Sequence, residues 1–108
     1  MAKVVWASEF SDSIGCRDND LNDGENYYAE LSTNPDANIK DLDFAALGKL
    51  KFGHKLKITY NGKSEYAYKG DVGRGKIDNG KLRQIDLHKT LARKLGFNGL
   101  DYVTIEDA

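Results

Sequence analysis

The stretch that most constrains the fold runs from Lys55 to Lys69. In Lys55-Leu-Lys-Ile-Thr-Tyr60, the residues Leu56, Ile58 and Tyr60 alternate with two lysines and Thr59, the period of a half-buried strand. Asn61-Gly62 follows, a pair that tolerates positive φ at both positions of a tight hairpin turn. The chain then returns through Ser64 to Lys69, with Tyr66 and Tyr68 on one face. A lone hairpin is marginal in water, so this one requires further strands to cover its apolar face.

Those strands are legible elsewhere. Lys3 to Phe10 carries Val4, Val5, Trp6 and Phe10; Tyr27 to Leu31, Leu82 to Ile85 and Leu100 to Glu106 are shorter runs of the same kind. Polar, glycine-containing segments at 11–26, 32–40 and 70–80 read as loops. Asp41 to Gly48 has the makings of one or two helical turns. The clearest helix follows Ile85: Asp86 is placed to cap it, Leu87, Leu91 and Leu95 recur with Ala92 on one face, and Gly96 stops it. Lys89, Arg93 and Lys94 lie where the helix dipole favours cations. Roughly six short strands with one or two short helices predict a mainly β fold, a small barrel carrying helices.

At 108 residues the chain is expected to form a single domain, 1–108. One cysteine, Cys16, excludes an internal disulfide, and with Arg17 as its nearest basic partner it reads as an unreactive loop thiol. Sixteen basic and seventeen acidic residues give a net charge of −1, which gives no reason to expect nucleic-acid binding. No apolar run reaches membrane-spanning length, and the N-terminal apolar run breaks too early for a signal peptide. The expectation is a chain made in the cytoplasm without a membrane partner, unless it is a fragment of a larger protein.

Two carboxylates are the first candidates for chemistry. Asp71 follows a tyrosine-bearing strand and sits between Gly70 and Gly73, where a cleft floored by Tyr66 and Tyr68 would partly desolvate it; the alternative is a loop aspartate bound to backbone amides. Asp86 is either a plain N-cap, worth ~1 kcal/mol, or a cap that also faces the cleft. Arg74 and Lys76, with Lys81 and Arg83, make the intervening segment basic, either a grip for anionic polymers or a solvated loop. Gly70 to Lys76 matches seven positions of a phosphate-binding loop, but Ile77 replaces its hydroxyl and Asn79-Gly80 blocks the helix it needs. Asp71-Val-Gly lacks the hydroxyl residue and second copy of an aspartic-protease turn. Asn19, Asp23, Gly24 and Glu30 match four positions of a calcium loop, yet Leu21 spoils another, so a solvated loop is the default. His54, a loop residue, and His88, an exposed first-turn residue, form no zinc cluster with one cysteine. No metal or cofactor is expected.

The segment Leu50-Lys-Phe-Gly-His-Lys-Leu-Lys-Ile-Thr-Tyr-Asn-Gly, then Gly70-Asp-Val-Gly, then Ile85-Asp-Leu before a helix, resembles the double-psi β-barrels of the rare-lipoprotein-A and expansin-like type. Those proteins carry a Leu-Pro-Phe-Gly-Thr opening, an Asn-Asp-Arg-Gly turn and an Ile-Asp-Leu helix start. The resemblance spans a little over half the chain, from Phe44 to Ile105. Tyr-Ala-Glu-Leu-Ser upstream and Gly-Phe-Asn-Gly-Leu-Asp-Tyr at the end are most similar to domains of phage tail or lysis proteins. It implies a six-stranded double-psi barrel associated with cell-wall glycan. Asp71 would be its acid/base, with Asp86 orienting it or stabilising charge, and Tyr66, Tyr68, Arg74 and Lys76 would bind substrate, in a virion-associated protein acting at the bacterial cell wall. Val72 stands where the family has arginine, and Leu47-Gly-Lys49 lacks the histidine of wall-cleaving members. The family's upstream glutamate has only Glu25 and Glu30 as candidates.

Two functions of different class remain open. One is a peptidoglycan-cleaving module, a lytic transglycosylase or glycosidase using Asp71 as acid/base. The other is a non-catalytic carbohydrate-binding or structural barrel of a phage tail, with other tail or lysis proteins as partners.

Overall fold

A computed structural model describes residues 2–32 and 50–108. The helical turns expected at Asp41 to Gly48 lie outside the described residues. The elements, in chain order, are β1 (Lys3–Phe10), β2 (Tyr27–Ser32), β3 (Lys55–Tyr60), β4 (Lys63–Arg74), β5 (Ile77–Asp78), β6 (Lys81–His88), α1 (Lys89–Leu95) and β7 (Leu100–Asp107).

Six of the strands close on themselves in the order β1-β7-β3-β4-β2-β6, because β6 also pairs with β1. Two pairings are parallel, β1 with β6 and β2 with β4, and the rest of the ring is antiparallel. This is a six-stranded double-psi β-barrel. Closure removes the sheet edges that would otherwise expose unpaired backbone groups. β5 lies outside the ring as a short arm on β6.

The hairpin forms as its sequence requires, with Asn61 and Gly62 at φ 51° and 81°. A second Asn-Gly pair, Asn79 and Gly80 at φ 49° and 79°, makes the same turn between β5 and β6. The segment from Gly70 to Gly80 is therefore not a loop. β4 runs on through Arg74 because it pairs in parallel with β2 as far as Ser32, a non-local partner that local composition does not reveal.

Alternation fills the barrel. Val5, Ala7, Tyr28, Leu56, Ile58, Ala67, Ile85, Leu87, Val103 and Ile105 form one buried cluster. Leu91, Ala92 and Leu95 bring α1 into it, packed beside β1, β2, β4 and β6. Gly96, in the left-handed conformation at φ 67°, ends the helix as expected.

The helix start differs from the sequence reading. β6 extends through His88, so Asp86 and Leu87 are strand residues and α1 begins at Lys89. The N-cap is His88, whose side chain accepts from the Thr90 amide. Its Nε2 donates to the Asp12 carbonyl at 2.8 Å, and the ring is fully buried rather than exposed. Pairing of β6 with both β1 and β2 holds Asp86 in the strand.

Candidate functional site

The site begins with one extra residue in β4. Tyr28 pairs with Lys69 and Ala29 with Asp71, so Gly70 is a bulge. Lys69 follows Ala67 into the barrel by ordinary alternation, and the bulge then turns Asp71 to the opposite side of the sheet. Only glycine fits there, since a Cβ at position 70 would lie 2.7 Å from the Tyr27 ring. The 11–26 loop straps the bulge down: Asn19 Nδ2 donates to the Gly70 carbonyl at 2.8 Å. Inside, Lys69 Nζ meets Glu30 Oε1 at 2.7 Å, and both are buried. Glu30 thus belongs to an internal ion pair.

Asp71 is 7% exposed, and its Oδ1 accepts from the amides of Cys16 (2.9 Å) and Val72 (2.8 Å). Ala29 lies opposite Asp71 on one side and opposite Asp86 on the other. Asp86 in turn lies opposite Ser8, whose hydroxyl donates to Asp86 Oδ1. Since Tyr28, Ile85, Leu87 and Ala7 face the core, the residues alternating with them face out. Asp71, Ala29, Asp86 and Ser8 form one row across β4, β2, β6 and β1. The two aspartates expected to act together are brought to the same face, with the methyl of Ala29 between them. Their Cα atoms lie two strand spacings apart, roughly 10 Å. Ser8 escaped the sequence reading because only the closure of β1 on β6 makes it a neighbour of Asp86.

Burial raises the Asp86 pKa above its ordinary 3.8; the Ser8 hydrogen bond and the Arg83 charge oppose this, and the charges of Asp12 and Asp71 add to it. The Cys16 thiol is pushed up by burial and then by Asp71, in keeping with an unreactive role.

The other anticipated residues divide. Tyr68 lines a cavity of about 590 Å³ beside Gly70, together with Arg17, Glu25, Tyr27 and Phe52. Tyr66 does not line it; its ring is half exposed and Lys55 Nζ sits 4.7 Å from its centroid. Arg74 and Lys76 are exposed at the far end of β4 and beyond it. Of their basic neighbours, Arg83 is tied to Asp78 at 2.6 Å, and Lys81 lies over the Trp6 ring at 4.4 Å. The acidic loop uses its ligands elsewhere: Asp23 accepts from Tyr27 and from the Glu25 amide, and Glu30 points into the barrel. Among the described residues no group of three or more His, Cys, Asp or Glu side chains is placed to hold a metal ion. No helix among them is long and apolar enough to cross a membrane.

A closed ring of six strands with two parallel pairs defines a double-psi β-barrel, and the carboxylate row crosses one side of it with Ser8, Ala29 and Asp71 buried. The chain is similar to the crystal structure of an apo expansin from Clavibacter michiganensis, with a TM-score of 0.63 and 21% sequence identity. The likeness covers all of this chain and half of that one, so the chain spans about half the length of that expansin. At this identity it establishes the shared fold. No protein-family model matches the chain, and no curated protein matches it.

Proposed function

We propose that this barrel associates with bacterial cell-wall glycan, as a wall-directed module of a phage tail or lysis protein acting on peptidoglycan. The observation that carries the reading is the outward row Asp71, Ala29, Asp86 and Ser8. Of this row Asp86 is the partly exposed member, and a carboxylate held at a protein surface suits a sugar, whose hydroxyls need acceptors. Fold similarity to an expansin supports the polysaccharide side of the reading. The phage context rests on the sequence resemblance at Tyr28 to Ser32 and at Gly96 to Tyr102.

A second reading, cleavage, is favoured by Asp86, because a carboxyl with a raised pKa can hold the proton that a leaving glycosidic oxygen needs. The acid is then Asp86 rather than Asp71. Proton transfer from Asp86 breaks the C–O bond as the leaving sugar departs, and Asp71 faces the positive charge that develops. Attack by water or by a hydroxyl of the same sugar completes the transfer, and the proton released returns to Asp86.

Co-sedimentation with purified peptidoglycan, followed by analysis of the soluble fragments, tests both readings. Wall association predicts pelleting that weakens in Asp71→Asn; a wild type that stays in the supernatant overturns it. Cleavage predicts soluble fragments whose release falls at least ~10²-fold in Asp86→Asn. Binding without fragments leaves the non-catalytic module as the function.

A further inference from the structure

The cavity beside Gly70 has a composition that the aspartate row does not explain. Three aromatic rings, Tyr27, Tyr68 and Phe52, line it, along with two exposed groups of opposite charge, Arg17 and Glu25. The Arg17 guanidinium carbon lies over the Phe52 ring, 4.1 Å from its centroid. Among the described residues no carboxylate or carbonyl accepts from its N–H groups. A guanidinium positioned by an aromatic face keeps its planar fork of donors for an oxyanion, and a carboxylate matches that fork in bidentate fashion. Tyr27 is fixed in turn, since its hydroxyl donates to Asp23 Oδ2 at 2.6 Å.

Position links this cavity to the carboxylate row. Gly70 belongs to its wall, and the next residue of β4 is Asp71. Tyr27 and Tyr68 are register partners, two steps along the β2–β4 ladder from the Ala29–Asp71 pair. A sugar held in the cavity would therefore lie beside the Asp71 end of the row.

We propose that this cavity is an acidic-sugar subsite, in which the aromatic rings take the face of a sugar, Arg17 takes its carboxylate, and Glu25 accepts from its hydroxyls. The proposal deepens the wall-glycan reading and rests on it. The shared chemistry is a carboxylate carried by a pyranose, bonded directly to the ring in a uronic acid and held through an ether-linked lactyl group in a muramic acid.

The test is calorimetric titration of the full chain with two acid probes, a galacturonic acid tetramer and a disaccharide of N-acetylglucosamine and N-acetylmuramic acid with a free lactyl carboxylate, and with the methyl ester of each. The subsite predicts that at least one acid probe binds and that the methyl ester binds at least ~10-fold more weakly than its acid. Which acid binds identifies the source of the carboxylate. Arg17→Ala should remove that preference, whereas Glu25→Gln should strengthen acid binding by removing a like charge. Both side chains are exposed, so the variants should fold; circular dichroism checks this. Equal binding of acid and ester, no binding of any probe, or an unchanged preference in Arg17→Ala overturns the subsite. Co-sedimentation of wild type with peptidoglycan separates the two ideas: if wild type pellets yet binds acid and ester equally, wall association stands and the subsite falls. If wild type does not pellet with peptidoglycan, the wall reading fails whatever the titrations show.

Discussion

At the scale of single residues, the molecule places two kinds of charge in opposite settings. Asp86 faces outward but is desolvated enough that burial raises its pKa. The folded state therefore favours its protonated form. Its contribution to stability is complete below the unfolded value near 3.8 and is lost as pH rises through the raised folded value. Asp86→Asn keeps an acceptor for Ser8 and removes the buried charge. The expected result is a higher melting temperature than wild type at pH 7, with the gap closing as pH falls toward 3.8. Thermal melts across that range check it, and a pH-independent gap would assign the effect to packing instead. Glu30 and Lys69, by contrast, are buried together at 2.7 Å. Lys69→Met strands a carboxylate in the barrel and should cost about 3–5 kcal/mol in urea unfolding, with Glu30→Gln in the same chain restoring part of the loss. Additive losses in the double variant would show that the two groups are not coupled.

At the scale of elements, α1 is only seven residues long, too short to be stable by propensity alone. It persists because Leu91 and Leu95 are buried among the strands. Leu91→Ala should cost ~2–5 kcal/mol by urea unfolding, as truncations in packed cores do. A loss below half a kcal/mol would mean that the helix is peripheral. β4 shows a different dependence. Just past its end the chain stays close to the β2 backbone, and a Cβ at Gly75 would lie 2.1 Å from the Ser32 carbonyl oxygen. Such a contact involves backbone and cannot be relieved by a rotamer change.

At the scale of the whole molecule, the strapping loop between β1 and β2 and the barrel form one hydrogen-bonded unit. Asn19 reaches Gly70, the Cys16 amide reaches Asp71, and Asn26 bonds both the Tyr66 carbonyl and the Lys94 ammonium. Of the side chains that would build a calcium loop, Asn19 is held by its Gly70 bond, Asp23 accepts from Tyr27 and the Glu25 amide, and Glu30 is turned inward. Millimolar calcium is accordingly expected to leave the melting temperature unchanged, and a rise of several degrees would restore a metal site by mass action.

Features that depend on near neighbours along the chain were legible from the residues alone. The β3–β4 hairpin was legible because Asn61-Gly62 and the alternation of Leu56, Ile58 and Tyr60 act within a few residues. The Gly96 stop, the strands β1, β2 and β7 and the burial of Leu87, Leu91 and Leu95 were legible for the same reason. Asn79-Gly80 carried the same hairpin signal, hidden only because so polar a segment reads as a loop. The aspartate pair was found as residues, but its arrangement was not. Asp86 has the sequence context of a helix cap, and only simultaneous pairing with β1 and β2 keeps it in a strand beside Ser8. Asp71 has the context of a loop, and only the Gly70 bulge against β2 turns it outward beside Ala29. Tertiary structure decided these points because parallel pairing joins segments distant in sequence, and no local pattern records which residue will stand opposite which.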